Sequence, residues 1–140
     1  MPTSDCLPTL FLCTNIIDRF LSAQVVSLAT LQLVGITCLF VASKIEEIVA
    51  PSVSHFPHCT DSSYTESEIL LGERYVLKTM DWNLSFPNQM HFLRRISKAD
   101  GYDLKSRTMG KYLLEVAFTG HGTFISRCCG HLAVAPHFGP

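Results

Sequence analysis

Apolar residues recur three or four positions apart along most of the chain and alternate nowhere for long, so the pattern predicts helices and no strands. The first helix runs from Pro8 to about Ser22, proline being tolerated in a first turn. Leu12, Ile16 and Phe20 form one stripe on it and Leu10, Ile17 and Leu21 another. Ser27 is placed to cap a second helix reaching about Ile48. That helix is apolar nearly all round until Lys44, so other helices are expected to surround it, and Ala50-Pro51 is expected to end it. Pro51 to Tyr64 reads as a loop with one short helix near Val53 to Phe56. Thr65 and Glu68 have the spacing of a capping box, opening a helix that runs to Met80. On it Ile69, Gly72, Val76 and Met80 form one stripe, and Glu73 and Leu77 a neighbouring one. Phe86-Pro87-Asn88 breaks the chain, and Asn88 can cap a helix to about Ala99. Asp100-Gly101 is a turn, and Asp103 opens a helix to about Phe118. Beyond Gly120, scattered glycines and prolines weaken every signal. The fold class is all-α: one compact set of helices followed by an incomplete second set.

Composition sharpens this. The 140 residues suffice for about one domain. Hydrophobic residues at 47% argue against disorder. Charged residues make up only 16%, against about 25% in an average soluble protein, and the mean hydropathy is +0.24. Such a chain has apolar surface for a partner, or lies in a membrane. Leu21 to Ser43 carries no charge and is long enough to span a bilayer. However, Ser22, Gln24, Ser27, Thr30, Gln32, Thr37 and Ser43 interrupt it, and its compact apolar part, Leu33 to Ala42, is too short. A buried core helix is expected, and no membrane. The N-terminus lacks the basic, apolar and small-residue succession of a signal peptide. Eleven basic and twelve acidic residues leave a net charge of −1, which excludes nucleic-acid binding by bulk charge. Six basic and two acidic residues between Arg94 and Lys111 read as exposed faces of two helices, so no nucleic acid is expected.

Candidate chemistry is sparse. The eight glycines never form a phosphate-binding loop, and no HExxH occurs. Cys128-x-x-His131 has metal-like spacing, and His55, His58 and Cys59 could complete a site, but nothing places them together. No metal and no cofactor are expected. Cys129 has no evident base to make it a nucleophile. Cys13 and Cys38 fall in apolar helical context, where cysteine acts as a small hydrophobe; with Cys6 and Cys59 they form no secreted-type framework, which points to a reducing compartment. The sequon Asn83-Leu84-Ser85 carries little meaning without a secretory signal. The inventory supports no enzyme.

Several segments, in order and in register, resemble the cyclin box, specifically that of B-type mitotic cyclins of fungal flavour. Asn15-Ile-Ile-Asp18-Arg19-Phe-Leu-Ser22 is similar to the family's second helix. Leu31-Gln32-Leu33-Val34-Gly35 with Ala42-Ser43-Lys44-Ile45-Glu46-Glu47 is similar to its central helix. Glu73-Arg74-Tyr75-Val76-Leu77-Lys78 and Asp81-Trp82-Asn83-Leu84 resemble its fifth helix and the exit from it. Phe92-Leu93-Arg94-Arg95-Ile96-Ser97-Lys98 is similar to the run that marks the B type, and Lys111-Tyr112-Leu113-Leu114-Glu115 to the second helix of the C-terminal cyclin fold. The resemblance implies a cyclin fold built around a buried central helix. It divides the chain into an N-terminal cyclin box, 1–86, and the start of a C-terminal cyclin fold, 87–140. The family's first helix is expected to be missing and the second fold to stop after about two helices, so the isolated chain is expected to expose an apolar patch.

By function, the resemblance implies a non-catalytic regulatory subunit that binds and activates a cyclin-dependent protein kinase in mitotic control, in nucleus and cytoplasm. Carried over by position, Lys44 would donate to kinase backbone carbonyls and Glu73 accept from kinase backbone amides. Ile45, Leu77 and Leu84 would fill the apolar contact. Leu31 and Gln32 would belong to a groove that docks protein substrates, and Asp18 matches a structural aspartate that the family pairs with an arginine of its first helix, so with that helix missing Asp18 is expected to lose its partner. Ile45 stands where an aromatic is usual. Leu28, Ala29 and Thr30 stand where many relatives have a basic residue, so docking is expected to be impaired. Two alternatives are an interaction module that activates no kinase and a cyclin-fold transcription factor that binds nucleic acid; the B-type run at Phe92 to Lys98 argues against the latter.

Overall fold

The computed structural model describes residues 6–61 and 63–119. Among them it contains five α-helices, two single 3-10 turns and no strand. The expectations on Cys128, Cys129, His131 and the scattered glycines after residue 119 lie outside the described residues. The chain divides into two compact units, one ending at Pro87 and the other starting at Asn88.

The first unit holds α1 (Leu7–Ala23), α2 (Leu28–Glu46) and α3 (Glu66–Thr79). One of the two stripes predicted on α1 is the core stripe: Leu12, Ile16 and Phe20 are buried, whereas Leu10 and Leu21 are exposed. They meet Cys38, Val41 and Ala42 of α2, Val76 of α3 and Met80 just past its end. Burying each large aliphatic or aromatic side chain here contributes roughly 1.5–3 kcal/mol. On another side of α2, Phe40 packs with Ile69 and with Phe56, the two rings meeting edge to face at 5.0 Å. Cys13 and Cys38 are core residues, as expected; burial pushes their thiols up to about 11 and about 12, Cys13 adding to the shift of Cys38. The hydroxyls taken into the core turn back on their own chain: Thr37 Oγ1 donates to Leu33 O at 2.7 Å, Ser43 Oγ to Phe40 O at 2.8 Å and Thr60 Oγ1 to Pro57 O at 2.9 Å.

Three expectations are met in part. First, α2 is not covered all round among the described residues. α1 and α3 pack against its C-terminal half, while residues 28–32 are exposed among the described residues and Leu28 is 89% exposed. By length and composition α2 could cross a membrane, yet residues 37–43, except half-buried Leu39, are buried between neighbouring elements. Second, α2 ends at Glu46, ahead of Ala50-Pro51. Glu47 turns extended, with ψ 137°, and its carboxylate accepts from Thr9 Oγ1 of α1 at 3.3 Å. Third, the predicted short helix after Pro51 is two 3-10 turns, Val53–His55 and Pro57–Thr60. Pro57 has no N–H to continue the first turn, so the chain restarts there.

α3 follows its prediction closely. Thr65 Oγ1 accepts from Glu68 N and Glu68 Oε2 accepts from Thr65 N at 2.7 Å, closing the capping box. Ile69, Val76 and Met80 are buried. Gly72 belongs to the same stripe because a Cβ there would stand 2.8 Å from Thr37 Oγ1 of α2.

The second unit, described by itself, pairs α4 (Gln89–Ala99) with α5 (Leu104–Thr119). Asn88 Oδ1 caps α4 by accepting from Met90 N at 3.0 Å. Gly101 and Tyr102 then adopt left-handed backbone, φ 68° and 63°, and Tyr102 N–H returns to Ser97 O at 2.8 Å, a Schellman ending. Asp103 caps α5 by accepting from Ser106 N at 3.0 Å and Ser106 Oγ at 2.6 Å.

Two outcomes test these arguments. Gly72→Ala forces α2 and α3 apart at Thr37 and is expected to lower stability by about 1–3 kcal/mol in denaturant unfolding. Thr37→Ala, which removes the atoms in the way, is expected to rescue part of that loss in the double variant. The Asp103 carboxyl is held below its ordinary value by the Ser106 side chain, then by the Ser106 and Lys105 backbone amides. Its stabilisation is therefore present above the unfolded pKa and lost as pH falls through the folded one. Fraying at the start of α5, read by amide exchange, is expected to set in below about pH 4 and to be independent of pH in Asp103→Asn.

Candidate functional site

The geometry around Lys44 and Glu73 begins with two helix positions. Lys44 lies in the last turn of α2, where a cation meets the negative end of the helix dipole favourably. Glu73 follows Gly72, so the close approach of α3 to α2 brings its carboxylate within reach. Lys44 Nζ donates to Glu73 Oε1 at 2.7 Å, with the lysine side chain 41% and the glutamate side chain 14% exposed. Phe40, one turn before Lys44, lies beneath the ammonium at 4.1 Å from the ring centroid, a cation–π contact that fixes the lysine from below. The pair is thus held at the surface, with donors and acceptors left over for a partner.

The apolar candidates differ in how they are placed. Ile45 is 49% exposed and available for contact. Leu77 and Leu84 are half-buried and pack against the α1–α2–α3 core, so each carries a core role together with whatever surface it presents. Leu31 and Gln32 are both exposed in the first turns of α2 among the described residues. Asp18 is exposed on α1, with enough of its carboxyl shielded for partial burial to raise its pKa. Among the described residues no cation stands within ion-pair distance of it.

Three features escaped the sequence reading. Arg19 Nη2 donates to Asn83 O at 2.8 Å, joining α1 to the exit from α3 across 64 positions. Trp82, in that exit, is exposed and has a positive φ. In the second unit, Arg94, Arg95, Lys98 and Arg107 line a hollow of about 450 Å³ with Ser97 and Tyr102, so part of the basic run read as solvated faces is gathered into one place. Only the dipeptide Arg94-Arg95 hinted at that convergence. Among the described residues no three His, Cys, Asp or Glu side chains gather as metal ligands.

Comparison with known proteins adds the decisive observation. The family model described as cyclin, N-terminal domain, matches residues 6–85, and the one described as cyclin, C-terminal domain, matches residues 87–138. This chain belongs to the cyclin family. It is 56% identical over 113 residues to the G2/mitotic-specific cyclin-B of Emericella nidulans, across 81% of this chain and 24% of that one. It is 58% identical over 113 residues to the G2/mitotic-specific cyclin cdc13 of Schizosaccharomyces pombe, across 81% and 23%. To the G2/mitotic-specific cyclin-2 of Saccharomyces cerevisiae it is 57% identical over 109 residues, across 78% and 22%. The chain therefore spans about a quarter of the length of the curated relatives it matches. Among solved structures, a viral cyclin from herpesvirus saimiri superposes with a TM-score of 0.66 at 24% identity, covering 79% of this chain and 47% of that one; it speaks for the cyclin fold. The resemblance to fungal mitotic cyclins and the all-α cyclin fold both hold.

The Lys44–Glu73 pair is half-exposed, so its intrinsic coupling is modest. A double-mutant cycle with Lys44→Ala and Glu73→Ala in the free chain is expected to give about 0.5–1 kcal/mol. Denaturation in increasing salt is expected to shrink it.

Proposed function

We propose that this cyclin acts as a regulatory subunit that binds and activates a cyclin-dependent protein kinase in mitotic control. The observation that carries the reading is the Lys44–Glu73 pair, locked at 2.7 Å and flanked by exposed Ile45, on helices α2 and α3. A fixed acceptor and a fixed donor beside an apolar side chain suit a partner's backbone: Glu73 takes amide protons, Lys44 gives to carbonyls, and Ile45 with the outer parts of Leu77 and Leu84 excludes water around them. The G2/mitotic names of the fungal relatives support the stage assigned, and the weak acidic balance of the chain favours a protein partner over nucleic acid. The chain is assigned no catalytic step of its own, because pressing on a kinase needs a shaped surface and no bond-breaking group. Leu31 and Gln32 are assigned to substrate docking, weakened by the lack of a basic residue at Leu28 to Thr30, and the setting is nucleus and cytoplasm.

Calorimetry with a purified cyclin-dependent kinase tests this. Glu73→Ala and Lys44→Ala are each expected to weaken binding by about 2 kcal/mol, the usual loss for a charge-assisted interface hydrogen bond, with helical circular dichroism unchanged. Wild-type affinity in both variants defeats the assignment of these residues.

A further inference from the structure

No further inference is drawn: the strongest candidate, the basic hollow that Arg94, Arg95, Lys98 and Arg107 line beside the buried Ser97 hydroxyl in the α4–α5 unit, restates an established anion-binding property of the family.

Discussion

The close approach of α2 and α3 at Thr37 and Gly72 sets the rest of the first unit. Gly72 has no side chain, and the Thr37 hydroxyl occupies the space its Cβ would need. Because the two backbones come this near, Cys38 and Val41 share one core with Val76 and Met80, and Glu73, one residue past the contact, comes within 2.7 Å of Lys44. A larger residue at position 72 would therefore disturb the surface pair, although it does not touch it.

α2 serves as a strut with two different ends. Its C-terminal half is gripped by α1, α3 and Phe56, and its N-terminal turns stand open among the described residues. The low charge content of the chain is visible here. Leu28, Ile45, Ile48 and Val49 are all exposed, a density of apolar side chains at the two ends of one helix that water alone covers poorly.

What the sequence made legible was local. The capping box at Thr65 and Glu68, the Asn88 and Asp103 caps and the Ile69–Gly72–Val76–Met80 stripe each depend on residues within one or two turns, and all formed as read. The reading erred where the answer was set by distant chain. The apolar circumference of α2 did not say which of its turns are covered, because that depends on where α1 and α3 cross it. Glu47, just past the end of α2, accepts from Thr9, 38 positions away. Arg19 and Asn83 are 64 positions apart, and nothing in either segment signals the other. For the candidate site, Lys44 and Glu73 were singled out by family register, and their mutual ion pair and the Phe40 ring beneath it became visible only in three dimensions.

At three places the surface gives up stability that a simpler sequence would keep. Trp82 sits in backbone that suits glycine, Ile48 and Val49 lie in water at the end of α2, and Glu73 is largely withdrawn from solvent for the sake of one lysine. Glu73 lies on α3 and Trp82 in its exit, where Leu77 O and Arg19 hold the loop. A rigid core therefore supports a surface that is poorly solvated and already ordered, and a partner that covers it gains the apolar burial without having to order the loop.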